Sequence, residues 1–266
     1  MGAKLFKMVN VLITSMVVLF ILAAVSTVLI RGIPYIIPAS LKAPELVFAI
    51  RLSLLTSIVS TAACLLVAMP VAYTLARYNL TGQGIAANLL RIPLTLPPVV
   101  SGVCLLLLFG TTTFGEILAR MGLRFVFTVP GIILAQFFVN LPALITVLKA
   151  AIEAVDIRLE YVARTLGCTP ARAFLKVTLP LIRNNILAGL VLTWGKALGE
   201  FGAVLMLAGA TRFKTETLPI SIYLNMATGD MEALMASAAI LILIAAISLA
   251  VFERAGVKLY ERVPGL

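Results

Sequence analysis

The sequence predicts an all-α integral membrane protein of six transmembrane helices, with a helical element in the polar stretch between spans four and five. Two observations carry this. Hydrophobic residues make up 62% of the 266, charged residues 12%, and mean hydropathy is +1.12, far from the roughly 25% charged composition of soluble domains. The apolar residues also gather into long runs, each near the ~20 residues a helix needs to cross a bilayer. Only residues 152–181 form a substantial polar interruption.

Taken in order, Lys4 and Lys7 precede an apolar run over 9–30. It exceeds the ~7–15-residue core of a cleaved signal peptide and is read as span one. Arg31, Gly32 and Pro34 are expected to end it, and Pro38 and Pro44 to keep the following loop non-helical. Span two is expected over 46–75, with Arg51 able to snorkel to the interface. Span three, 85–109, contains Pro93, Pro97 and Pro98 and must be kinked or broken, because each proline removes a backbone donor. Freed backbone groups at membrane depth are tolerated where protein or water covers them. Thr95, Pro97 and Ser101 are therefore candidate pathway residues, with an ordinary packing kink as the other reading.

A polar, glycine-containing loop follows over 110–127. Span four, 129–148, carries Gln136 and Asn140, able to bond a neighbouring helix or line a pore. Span five is placed at 186–207, a polar segment at 209–232, and span six at 233–252. The whole, 1–266, is read as one transmembrane domain. Glu253, Arg254, Lys258, Glu261 and Arg262 close the chain.

The net charge of +10 raises nucleic acid as a partner, but the basic residues are scattered between apolar runs and form no basic face. With no histidine and three cysteines, Cys64, Cys104 and Cys168, neither a transition-metal site nor a disulfide is expected. Thirteen of the 21 basic residues fall on the side of the amino terminus and seven on the other, Lys196 lying inside span five. The positive-inside rule then makes both termini, and the 152–181 stretch, cytoplasmic.

Within that stretch Ile152, Val155, Leu159, Val162 and Leu166 recur at steps of three and four, placing them on one helical face. Glu153, Asp156, Arg158, Glu160 and Arg164 fall largely elsewhere. Gly167 tolerates a left-handed turn, and Thr169 and Pro170 supply an N-cap and first helical position for a second helix bearing Phe174, Val177 and Leu181. By periodicity alone this is an interfacial hairpin. Its spelling says more: Ala163, Gly167 four residues on, then Val177, Leu179 and Pro180 resemble the cytoplasmic "EAA" loop of ABC-importer permeases, with Tyr161 and Val162 in place of the glutamate and first alanine. The resemblance implies that the stretch is a coupling helix seated on an ATPase subunit, through Arg164, Thr165, Leu166, Gly167, Thr169, Pro170, Ala171 and Phe174.

Span five holds Gly195, Gly199 and Ala203 at steps of four, a small-residue stripe suited to close helix packing. Lys196 and Glu200 occupy the adjacent stripe. A mid-membrane lysine costs about 2.5–3.5 kcal/mol on insertion scales, so it should pair with Glu200 or face water in an anion pathway. The run Leu198-Gly199-Glu200-Phe201-Gly202-Ala203, then Gly209, Thr217-Leu218-Pro219, Ile222-Tyr223 and Gly229-Asp230, together with Leu96-Pro97-Pro98-Val99-Val100, resembles the molybdate, tungstate and sulfate permeases. That likeness implies a homodimer in the plasma (inner) membrane lipid, two ATP-binding cassette subunits, and an extracytoplasmic binding protein delivering a tetrahedral oxyanion. No cofactor is expected on this chain. It has no GxxxxGK[ST] phosphate loop, so ATP and Mg belong to the partner. No acid-base pair or nucleophile triad suggests an enzyme. A sulfate/thiosulfate permease and an ion-gradient-driven secondary transporter using Glu200 are the alternatives.

Overall fold

The computed structural model describes residues 2–42 and 44–254; Lys258 and Arg262, two of the thirteen basic residues counted to the side of the amino terminus, lie outside the described residues, as does Glu261. The described residues are helical with no strand among them: α1 (Gly2–Lys42), α2 (Pro44–Arg77), α3 (Gln83–Thr95), α4 (Pro98–Gly110), α5 (Thr113–Arg120), α6 (Val129–Glu153), α7 (Ile157–Thr165), α8 (Pro170–Ala173), a π turn (Phe174–Thr178), α9 (Leu179–Leu181), α10 (Arg183–Leu198), α11 (Gly202–Ala208), α12 (Leu218–Thr228) and α13 (Met231–Arg254). Four helices, α1, α2, α6 and α13, are long and apolar enough to cross a membrane. Counting each bent pair as one span, α3 with α4 at 112° and Pro170–Leu181 with α10 at 73°, gives up to six.

The central contact is α2 against α6. It is close because α2 presents a small face, with Ala49, Ser53, Ser57, Ser60, Cys64, Ala68 and Ala72 buried. Two of its hydroxyls bond back to their own helix: Thr56 Oγ1 donates to Leu52 O at 2.9 Å and Ser60 Oγ to Ser57 O at 3.1 Å. From α6, Leu144, Leu148 and Ile152 fill the half toward α7, and Ile132, Ala135 and Val139 the half toward α11.

Several expected boundaries move. Helix α1 does not stop at Arg31 but continues through Gly32, Pro34 and Pro38. Here α13 crosses it so closely that a Cβ on Gly32 would run into Met235 O and lie 2.6 Å from Ala239 Cβ, and Tyr35 and Ile36 pack against the cluster that holds Leu46 and Ala236. Burial there outweighs the local cost of the prolines. Residues 4–24 of α1, by contrast, are all exposed. The 110–127 loop contains helix α5, started by Thr112, whose hydroxyl accepts from Gly115 N at 3.2 Å. The 209–232 segment contains α12, whose Leu218 N donates to Ser53 Oγ of α2 at 2.7 Å. Beside it the Glu216 carboxyl is fully buried, which pushes its pKa up, while Arg212 Nη1 stands 3.9 Å away.

Span five is not continuous over 186–207. Helix α10 ends at Leu198, the chain turns through Gly199, Glu200 and Phe201, and α11 starts at Gly202. The turn holds because both freed ends find partners: Glu200 Oε1 accepts from Ala203 N at 3.0 Å, and Gln136 Nε2 donates to Ala197 O at 2.9 Å.

Candidate functional site

The polar stretch folds as two helices joined by a tight turn. Asp156 caps α7, its carboxylate accepting from Arg158 N at 2.9 Å. At the other end Gly167 has φ 89°, with Gly167 N donating to Arg164 O at 3.0 Å and Cys168 N to Ala163 O at 3.1 Å. This pair of bonds is the Schellman closure, which needs a left-handed residue at Gly167. Thr169 Oγ1 then accepts from Arg172 N at 3.3 Å, and Pro170 takes the first position of α8.

The five apolar residues placed on one helical face are divided between two elements. Ile152 and Val155 belong to the end of α6 and its corner, while Leu159, Val162 and Leu166 are 46%, 56% and 81% exposed. The side turned inward carries Glu160, 5% exposed. Its carboxylate accepts from Tyr73 Oη at 2.8 Å, Arg77 Nε at 3.0 Å and Thr178 Oγ1 at 2.5 Å. Burial works to raise its pKa, but these bonds and the Arg77 charge outweigh it and hold the carboxyl below the usual range. Arg164, Thr165, Leu166, Gly167, Thr169, Pro170 and Ala171 are exposed together, and Phe174 is half-buried with its ring 4.8 Å from that of Tyr73. The element thus shows an apolar surface outward and is held by a polar one inward.

A second constellation lies where two helices break. Helix α3 ends at Thr95, whose hydroxyl donates to Ile92 O at 2.8 Å, and α4 restarts after Pro97. The α11 start meets it there: a Cβ on Gly202 would lie 3.0 Å from Val99 N and 3.1 Å from Pro98 Cβ. Thr95 and Pro97 are exposed, whereas Ser101 is fully buried one turn on, its hydroxyl without a partner. Gln136 and Asn140 are buried on α6 and donate to Ala197 O and Gln136 O, so both serve helix bonding.

The small-residue stripe does not act as one surface. Ala203 sits against α4, where a Cβ on Gly102 would fall 2.8 Å from Ala203 Cα and 2.7 Å from Met206 Cβ. Gly195 and Gly199, on the far side of the turn, are exposed, and a Cβ on Gly195 would meet nothing within 4 Å. Lys196 shares their exposed face and forms no ion pair among the described residues. Glu200 is buried and occupied as the cap of α11. The expected Lys196–Glu200 pair is absent because the turn between α10 and α11 removes the helical spacing that would bring them together.

Residues 65–258 match the family described as "Binding-protein-dependent transport system inner membrane component". The chain is 38% identical over 210 residues to the molybdenum transport system permease protein ModB of Mycobacterium bovis, covering 79% of each. It is 33% identical over 206 residues to the sulfate transport system permease protein CysW of Synechocystis sp., covering 77% of this chain and 75% of that protein. In fold it resembles a bacterial alginate ABC transporter crystallised with an alginate pentasaccharide-bound periplasmic protein, at TM-score 0.72 and 18% identity, covering 93% of this chain and 92% of that one. This chain therefore belongs to the family of binding-protein-dependent transport system inner membrane components.

Proposed function

We propose that this chain is the permease subunit of an ATP-driven importer for a tetrahedral oxyanion, molybdate or tungstate. It works as a homodimer in the plasma (inner) membrane, with both termini cytoplasmic, six spans per copy and one domain over 1–266. Two ATP-binding cassette subunits, which hold ATP and Mg, sit beneath it, and an extracytoplasmic binding protein delivers the anion above. The observation that carries this is the outward apolar face of α7, Leu159, Val162 and Leu166, presented by an element whose other side is fixed to α2. A protein that exposes such a face on a short charged helix has a partner to cover it. Positions Arg164 to Ala171 form the docking edge, and ATP-driven closure of the partners brings the two copies' elements together and opens the pathway outward.

The exposed first half of α1 and the exposed face of Gly195, Lys196 and Gly199 supply surface for the second copy and for the anion route between copies. Lys196 gives that route positive potential, with Thr95, Pro97 and Ser101 at the adjoining break. Sulfate or thiosulfate is the second reading, favoured by the similarity to the sulfate permease. An ion-gradient carrier is disfavoured because Glu200 is committed to capping α11. The test is uptake in proteoliposomes containing the ATPase and binding protein, with molybdate, tungstate and sulfate in competition. ATP-dependent molybdate uptake insensitive to ionophores supports the reading; uptake that follows an ion gradient without ATP overturns it.

A further inference from the structure

The docking element is tied to the end of α2 by a buried polar cluster, beside the Tyr73–Phe174 ring contact. Arg77, at the last turn of α2, reaches two segments at once: Nε bonds the Glu160 carboxylate at 3.0 Å, and Nη2 donates to Val155 O at 2.9 Å in the corner between α6 and α7. Glu160 in turn receives Tyr73 from α2 and Thr178 from the π turn. Both charged side chains are 7% exposed. A single carboxylate therefore joins the end of α2, helix α7 and the helix beyond the Gly167 turn. The π turn, followed by Pro180, ends with Thr178 buried and facing this carboxylate.

We propose, resting on the transport reading above, that Arg77 and Glu160 are the positioning pair through which the docking element drives α2. The pair makes the α2 end and the α7–α9 element one rigid body, so displacement of the element by the ATPase moves α2, and with it the α2–α6 core, as a lever. Apolar packing alone would let α7 slide, since its apolar residues face outward. A buried ion pair with its remaining valences bonded resists such sliding, because separating the charges leaves each unsatisfied.

Two measurements test this. In complexes with the ATPase and binding protein, Arg77→Gln, Glu160→Gln and the double variant are compared for molybdate taken up per ATP hydrolysed. Each single variant should lose about tenfold or more of that ratio while hydrolysis stays within about twofold, and the double should be no worse than either single, as expected of residues acting as one unit. Normal coupling in the single variants, or additive losses in the double, would overturn the proposal.

The second measurement leaves the pair intact, so it stands even where a variant fails to assemble. Spin labels at Asn79→Cys and Arg158→Cys, both exposed sites, are placed in a background without Cys104 and Cys168. Their separation within one copy should stay constant between nucleotide-free and ATP-bound complexes, and a change of several ångströms would show that the tie opens and overturn the proposal. Absence of molybdate uptake by the unsubstituted complex would instead remove the transport reading, while the label separation would still decide the rigidity of the joint.

Discussion

Gly167 offers the sharpest perturbation, because its requirement is conformational and free of packing. Its φ is 89°, and a Cβ there would meet nothing within 4 Å. Any effect of substitution therefore comes from the backbone. Alanine in a left-handed conformation costs about 1–2 kcal/mol, which lowers the population of the turn roughly 5–30-fold. Asparagine visits this region with its own local hydrogen bonding and should be nearly neutral. Proline cannot comply: its ring holds φ near −65°, and it removes the N–H that donates to Arg164 O at 3.0 Å. In proteoliposomes with the ATPase partner, uptake per ATP should rank glycine, asparagine, alanine, proline. Gly167→Pro should hydrolyse ATP with almost no uptake, since the two helices lose their fixed angle while Glu160 still holds α7. Coupled turnover of Gly167→Pro at the normal ratio, or equal losses for alanine and proline, would refute the reasoning.

Lys196→Met should depress oxyanion uptake while leaving the assembled complex intact, because Lys196 lies exposed on α10 and forms no ion pair among the described residues; assembly by size exclusion and uptake by isotope retention check this. Gly102→Val should destabilise the permease by about 1–3 kcal/mol through overpacking, since even a Cβ falls 2.8 Å from Ala203 Cα, and thermal unfolding in detergent reads it. The Glu160 carboxyl titrates below its unfolded value, so its contribution is fully present above about pH 4.3 and is lost only as pH falls through the depressed folded value. Exchange protection of α7 amides should accordingly be unchanged from pH 8 to pH 5.5 and fall in more acidic solution.

The sequence exposes features whose cause is local and hides those whose cause is distant. The Gly167 turn, the Thr169 cap and the break near Pro97 each follow from the φ range or missing donor of one residue, and all three stand where the residues place them. The continuation of α1 through Pro34 was hidden because it depends on α13 arriving at Gly32 from two hundred residues away. The break in span five was hidden because 186–207 has the length and overall hydropathy of one span; its signal is Glu200 three residues before Ala203, the spacing of a side chain that caps the next helix. Glu160 reads as part of a solvated face until Arg77, 83 residues earlier, is seen to meet it. A charged α2 end with Tyr73 and Arg77 four residues apart is the available hint, and it names no partner.

The central claim is that the outward face around Leu166 meets an ATPase on the cytoplasmic side of the membrane. Labelling of Leu166→Cys by a membrane-impermeant maleimide, in a background without Cys104 and Cys168, tests it in one experiment. The thiol should react in inside-out vesicles, resist reagent applied to intact cells, and become protected when the purified ATPase subunit is added back. Reaction from outside intact cells, or labelling indifferent to the ATPase, would contradict the account.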